Sequence, residues 1–346
     1  MKLGDVAPDE RLAYINKTVM YVANVLKCVL LHDPSPAEHA AAVEKYANAI
    51  LNGASPMDVF EAIRDAEGRP NVPMYVPPGH FYSPIVNPAD VAEHLRAAEA
   101  AGPAVAGVAI DRDAMVATWH RLLPLMESFP FPAEPTDGFR YFSRNLAFGE
   151  GDARVFSAMI RRSQPRRIVE VGSGFSSALA VDTVERFVSH PCAFTFVEPY
   201  ADELRSRLGD AAAGVDILEV PVQRAPLALF ETLSDGDILF IDSTHVLRTG
   251  SDVCFELFEI LPRLASGVLV HIHDMFWPFE YPRNWVVDDN RSWNELYAVR
   301  AFLTGNREWD VVFFSQYFVA TERELVERTL PAFAHDTGAA LWLRRR

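Results

Sequence analysis

The sequence predicts an α/β fold, a seven-stranded and mostly parallel sheet with helices on both faces, preceded by a small helical domain. Three observations predict it. From about Phe139 onward, apolar runs of strand length alternate with helix-like segments, the pattern of parallel strands joined by crossovers. The run RIVEVGSGFSS, from Arg167 to Ser177, passes from a buried-strand pattern straight into Gly172-Ser173-Gly174 and then into a helix. Ahead of both, residues 12–66 carry apolar positions at helical spacing with start signals between them.

At 346 residues, 49% of them hydrophobic, the chain can bury one large core and a smaller one. A formal charge of −15 and a pI near 5.1 repel a phosphate backbone, and the only basic cluster is Arg344-Arg345-Arg346, so nucleic acid is excluded as a partner. Cys28, Cys192 and Cys254 are scattered without a Cys-x-x-Cys, as buried or idle thiols are. Asp5, Asp9, Glu10 and Arg11 precede any apolar run, and the stretch 19–31 is short and interrupted by Lys27. Neither a signal peptide nor a membrane span, which needs about 20 apolar residues, is expected, and a cytoplasmic location follows. Homo-oligomerisation stays open.

In chain order, Ile15, Val19, Val22, Leu26 and Leu30 form one apolar stripe. Asp33-Pro34 breaks that helix. Ser35-Pro36-Ala37-Glu38 starts a second, with a serine cap, proline at the first helical position and glutamate three residues after the cap. Val43, Tyr46 and Ile50 face inward until Asn52-Gly53, and Ser55-Pro56-Met57-Asp58 repeats the start signal before Val59, Phe60 and Ile63. The segments LLHDPSPAEH and LNGASPMDVF are similar to a small helical domain that accompanies bacterial enzymes handling glycans and surface polymers. Pro70, Pro73, Pro77, Pro78, Pro84 and Pro88 then favour an extended arm. Within it, Gly79-His80-Phe81-Tyr82-Ser83-Pro84 is aromatic enough to pack against the larger domain or to serve as a lid over its site. Helices follow over 87–101 and 111–127. The boundaries are a helical domain over 1–68, the arm with connecting helices over 69–138, and the α/β domain over 139–346.

In that last domain Asp152 caps a helix running to about Arg162, and strands follow from Arg167 and over 193–198, 215–220, 237–241, 267–273, 309–314 and 339–343, with a helix over 322–333. A strand that ends in Gly-x-Gly and feeds a helix brings backbone N–H groups up to a ligand, because glycine has no Cβ to hold it away. Glu170 stands two residues before these glycines, and Ser177 stands where a dinucleotide fingerprint has its third glycine. Glu198 ends the second strand, at the carboxyl edge where open sheets bind ligands and where an acid meets the hydroxyls of a ribose. DILFIDSTHV (237–246) ends a strand in Asp242, with His245 three residues on. GVLVHIHDMFWPFEYPRNW (267–285) ends another in His273-Asp274 and enters a loop of Phe276, Trp277, Phe279, Tyr281 and Trp285. Two carboxylates delivered to one edge need a cation, a proton or a cationic ligand between them. His245 is the candidate general base; His273 and His271 compete for that role and, flanking Ile272, point to one side of the sheet. The aromatic loop, Tyr82 and the segment 291–297 form candidate walls of an acceptor pocket suited to a sugar ring or a flat natural product.

The set VEVGSGFSS, FVEP, FIDSTHV…GSDV, LPRLASGVLVHIHDMFWPFEYPRNW and RSWNELYAVRAFL closely resembles the class I S-adenosylmethionine-dependent methyltransferases, in a bacterial branch near the sugar and natural-product O-methyltransferases, over about residues 140–346. The resemblance implies a Rossmann-like fold, S-adenosyl-L-methionine as cofactor, and methyl transfer to a hydroxyl of a small-molecule or glycan acceptor. It implies that Glu170, Gly172, Ser173 and Gly174 cradle the methionine end, that Glu198 binds the ribose, and that Val222 and Gln223 lie near the adenine. In metal-dependent relatives, aspartates at the positions of Asp242 and Asp274 bind Mg2+ or another divalent cation, and the residue after the second is often Asn or Asp. Here that residue is Met275, so metal-assisted and metal-free transfer both stay open. N-methylation of a small metabolite or peptide, an NAD-dependent oxidoreductase and a non-catalytic cofactor-binding scaffold are the alternatives. The missing third glycine argues against the oxidoreductase, and the set Asp242, His245 and Asp274 against the scaffold.

Overall fold

The computed structural model describes residues 2–6, 36–56, 75–77, 79–100, 105–145 and 147–346, together with isolated positions between 11 and 63. Contacts divide the chain into two units, Met1–Tyr75 and Val76–Arg346. In the first unit a helix spans Pro36–Leu51 and ends where Gly53 takes a φ of 105°. Its Tyr46, Ala47 and Ile50 are buried in a small core with Val22, Val59 and Ile63. The second start signal closes as a reciprocal cap: the Asp58 N–H donates to Ser55 Oγ at 3.0 Å, and the Ser55 N–H donates to Asp58 Oδ2 at 3.2 Å. Of the expected features, Leu26, Leu30, Asp33, Pro34, Ser35, Phe60, Pro70, Pro73, Pro78 and Cys28 lie outside the described residues.

The second unit is built on seven strands: β1 (Arg167–Val171), β2 (Ala193–Val197), β3 (Asp216–Leu218), β4 (Ile238–Ile241), β5 (Leu269–Ile272), β6 (Trp309–Phe314) and β7 (Leu341–Arg345). Their order across the sheet is β3-β2-β1-β4-β5-β7-β6. Pairing is parallel from β3 to β5, whereas β7 runs antiparallel to both β5 and β6. The central strands are covered on both faces, so Ile168–Val171 and Ile238–Ile241 are buried throughout, which is why they read as apolar runs, broken only by Glu170. Helix Glu150–Ser163 packs on helix Phe175–Phe187 and on helix Arg112–Glu127. Trp119 of the last is fully buried, stacked 4.9 Å from Phe318 and 6.3 Å from Phe313.

Four expectations are corrected. The last strand starts at Leu341 rather than 339, because Ala339 and Ala340 bond elsewhere: the Ala339 N–H donates to Asp152 Oδ1 at 2.9 Å, and the carbonyls of Ala339 and Ala340 accept from the N–H groups of Met275 and Ser315. Asp152 is thereby committed, and the cap of helix Glu150–Ser163 is Gly149. The helix expected over 322–333 is split into Arg323–Thr329 and Pro331–His335, since Pro331 has no N–H to continue it. In the arm, Phe81 and Tyr82 are 81% and 67% exposed, with Phe81 stacked 4.2 Å from His80 and tilted 4.3 Å from Tyr82, so these rings are not buried in the larger domain as one reading had them. Among the described residues no helix is long and apolar enough to cross a membrane.

Candidate active site

The parallel ladder continues one residue past four strand ends. The Gly172 N–H donates to Val197 O at 3.1 Å, Glu198 N–H to Leu218 O at 3.1 Å, Asp242 N–H to Val171 O at 2.9 Å and His273 N–H to Ile241 O at 3.0 Å. Gly172, Glu198, Asp242 and His273 therefore form one row along the carboxyl edge of the sheet, the edge at which open α/β sheets bind ligands.

At the β1 tip, Gly172 has a φ of 76°, and a Cβ there would stand 1.8 Å from the Asp242 carbonyl oxygen, so only glycine lets β1 and β4 close on each other. Gly174 is extended and a Cβ on it would meet nothing within 4 Å, so it faces open space. Its N–H donates to Ser177 Oγ at 3.0 Å, and the Ser173 N–H donates to Glu198 Oε2 at 3.2 Å, which ties the turn to the β2 tip. Glu170 lies beneath the turn: it is fully buried and accepts from Ser176 Oγ at 2.5 Å. Burial pushes its carboxyl up to about 8, against the hydrogen bonds of Ser176 and Ser177. Glu170 Oε2 and Ser173 Oγ are buried without a hydrogen-bond partner. A cleared backbone turn with unpartnered polar atoms beside it fits the polar, cationic methionine end of the expected cofactor.

Asp242, His245 and Asp274 converge, with one ligand atom from each lying within 4.8 Å of the others. His245 Nε2 stands 3.3 Å from Asp242 Oδ1 and 3.4 Å from Asp274 Oδ2, and its Nδ1 lies 2.8 Å from Glu295 Oε2. Both His245 and Asp274 adopt left-handed backbone, at φ 61° and 55°, a strained conformation for such residues that aims their side chains at this point. Burial opposes a charged imidazole, yet Asp242 and Glu295 hold His245 well above its usual range. Burial likewise works to raise Asp242, but His273 and His245 outweigh it and hold that carboxyl down at about 2, while for Asp274 burial prevails and the shift is upward. His273 packs behind the pair, its Nδ1 3.3 Å from His271 Nε2 and its Nε2 3.7 Å from Asp274 Oδ1. His271 stacks 4.0 Å from Phe240 and is fully buried, and burial drives its imidazole well below the usual range, a neutral core histidine.

The aromatic loop divides. Trp293 packs 4.5 Å from His245 and 5.4 Å from Trp285, and the Arg291 guanidinium lies 4.2 Å over Trp285. Phe276 lies 5.0 Å from Trp285. Tyr281 is buried 6.0 Å from Trp293, its hydroxyl accepting from the Leu296 N–H at 3.2 Å. Trp277 turns the other way, against Tyr317 at 4.8 Å and Phe314 at 5.7 Å, toward the end of β6 rather than the acid pair. Tyr82 lies out on the arm, 67% exposed, with its ring 4.3 Å from that of Phe81.

Glu295 is the site residue that sequence reasoning missed. It is 2% exposed, at the start of helix Glu295–Leu303, and only folding brings it to a histidine fifty residues earlier. Its signal was an acid directly before Leu296 and two residues after Trp293 in RSWNELYAVRAFL. Glu256 was missed as well; fully sequestered, it accepts from Ser243 Oγ at 3.1 Å, and burial raises it well above the carboxylate range.

A mostly parallel sheet with a cleared glycine turn at one strand tip and acids on the neighbouring tips defines an enzyme that works on a nucleoside-type cofactor. A family model described as a methyltransferase domain matches residues 169–275, from β1 to the residue after Asp274. A protein of Archaeoglobus fulgidus, described as uncharacterized, is 31% identical over 166 residues, 47% of this chain and 75% of that one. The chain belongs to the class I S-adenosylmethionine-dependent methyltransferases. Solved structures similar to it include the S-adenosylhomocysteine-bound methyltransferase PaMTH1 of Podospora anserina, 15% identical over 80% of this chain and 100% of that one with a TM-score of 0.37. The O-methyltransferase TomG of Streptomyces achromogenes, in complex with S-adenosylmethionine, is 15% identical over 69% and 91%, also with a TM-score of 0.37.

Proposed function

We propose that the enzyme methylates an oxygen of a small hydroxylated acceptor, a sugar, glycan or flat natural product, at the edge formed by Asp242 and Asp274. The observation that carries this reading is the convergence of Asp242, His245 and Asp274 beside the glycine turn. In this reading Gly172, Ser173 and Gly174 hold the methionine end of S-adenosylmethionine and Glu198 meets its ribose. The cofactor supplies a methyl group on a sulfonium, and a divalent cation held by Asp242 and Asp274 would lower the pKa of the acceptor hydroxyl. Among the described residues the ion-pair partners of these two carboxylates are histidines, with Arg291 acting on Asp274 only from farther off, a donor set that fits such a cation. His245 serves as a free base only when neutral, and the carboxylates around it keep it protonated near neutral pH unless a cation engages them. The reading therefore assigns activation of the hydroxyl to the acid pair. Trp285 and Trp293 present faces that suit a ring, and holding the reacting atoms in line is worth up to about 7–11 kcal/mol in favourable cases.

The test is incubation with S-adenosylmethionine and a panel of sugar and phenolic acceptors, with and without prior chelation, read by mass spectrometry of the products. Methyl ethers that disappear on chelation and return with added Mn2+ or Mg2+ are expected. Methylation of amines alone overturns the oxygen assignment, and full activity after chelation overturns the cation.

A further inference from the structure

We propose that His245 is a third protein ligand of the cation site, and that Glu295 is the positioning residue that fixes its ring. The inference rests on the cation reading above and deepens it. Glu295 Oε2 is 2.8 Å from His245 Nδ1, so the proton of a neutral imidazole sits on Nδ1 and is donated to Glu295. Nε2 then presents a lone pair to the same space as Asp242 Oδ1 and Asp274 Oδ2, at 3.3 and 3.4 Å. With the ring neutral, three electron-pair donors converge with no hydrogen among them. A proton on Nε2 fills this space poorly: a charge-assisted N–H···O bond is about 2.7–2.9 Å long, and one N–H cannot point at two carboxylates at once. A metal ion, bound by all three, fills it well.

The rest of the geometry keeps the ring in place. The His245 carbonyl accepts from the N–H groups of both Asn294 and Glu295 at 3.1 Å, and Asn294 Oδ1 accepts from the Leu247 N–H at 2.6 Å. The start of helix Glu295–Leu303 thus clamps the loop that carries His245, while Trp293 packs against the imidazole at 4.5 Å. A carboxylate on the far nitrogen of a ligating histidine fixes its tautomer and raises its basicity. One imidazole with two carboxylates also favours a borderline dication such as Mn2+, Fe2+, Co2+ or Zn2+ over Mg2+ or Ca2+, which prefer oxygen alone.

The experiment titrates the purified full chain with Mn2+ alone, without cofactor or acceptor, following free Mn2+ by electron paramagnetic resonance and bound Mn2+ by its pulsed nitrogen coupling. Expected are nitrogen coupling in the wild type, its loss in His245→Ala, Mn2+ affinity reduced about 10–100-fold in Glu295→Gln, and weaker competition by Mg2+ than by Co2+. Wild-type Mn2+ without nitrogen coupling overturns the ligand assignment whether or not a variant folds. Undiminished affinity in a folded Glu295→Gln overturns the positioning role, with Glu295→Asp standing in should the glutamine variant not fold. Asp274→Asn separates the two levels: if it binds Mn2+ as the wild type does, or the wild type binds none, the cation reading itself fails. If Asp274→Asn loses Mn2+ while His245→Ala and Glu295→Gln retain it, only the present inference fails.

Discussion

Gly172 and Gly174 stand two residues apart and serve different ends. Gly172 is architectural, since any Cβ would strike the Asp242 carbonyl, whereas Gly174 faces open space, the side on which the proposed cofactor site lies. The sequence showed both as one Gly-x-Gly turn, because only the fold reveals which glycine faces protein and which faces ligand. Glu170 illustrates a second limit of sequence. Its position before the glycines was legible, but its depth was not: it lies beneath the turn, with burial raising it to about 8 from an ordinary value of 4.5. Between those two values the folded chain keeps a proton that the unfolded chain has released, so this residue makes stability fall as pH rises from about 4.5 to 8. Glu170→Gln should remove that contribution. Melting curves from pH 5 to 8 are expected to slope less in the variant, with a gap growing in its favour by at most about 1.4 kcal/mol per pH unit; parallel curves would contradict the burial argument.

At the scale of elements, the strands were legible because buried parallel strands are short apolar runs, and helix starts because caps have a fixed grammar. Two features were not. The insertion of β7 between β5 and β6 depends on long-range pairing that no local pattern encodes. The anchoring of the segment before helix Glu150–Ser163 depends on a carboxylate forty residues later. Asp182, on helix Phe175–Phe187 and without exposed surface, accepts from the N–H groups of Arg140 and Tyr141 at 2.8 and 3.1 Å and pairs with Arg140 Nη1 at 2.6 Å. Asp182→Ala leaves the two backbone donors unpaired in the interior, while the Arg140 guanidinium keeps Glu185 at 2.8 Å. Urea denaturation is expected to show a loss of about 3 kcal/mol, from two buried donors left unsatisfied at about 1–3 kcal/mol each, and a loss under about 1 kcal/mol would mean the segment is held by packing alone.

For the whole molecule, the acidic balance of the sequence and the converging acids of the site belong together. The carboxyl edge of the sheet gathers Glu198, Asp242 and Asp274 within reach of one another's strands, a surface suited to a sulfonium cofactor and a metal cation. Its strand-tip residues were legible because a strand's last residue must lie at the edge. Glu295 was not, because it reaches His245 from a helix that begins fifty residues on. The central claim is that the β1 turn is where the methyl donor sits, and calorimetric titration with S-adenosylhomocysteine of the wild type and of Gly174→Val tests it most directly. The account predicts binding to the wild type and none to a variant whose melting temperature is unchanged, since the added side chain enters open space that the cofactor needs; equal affinity in the two proteins would contradict it.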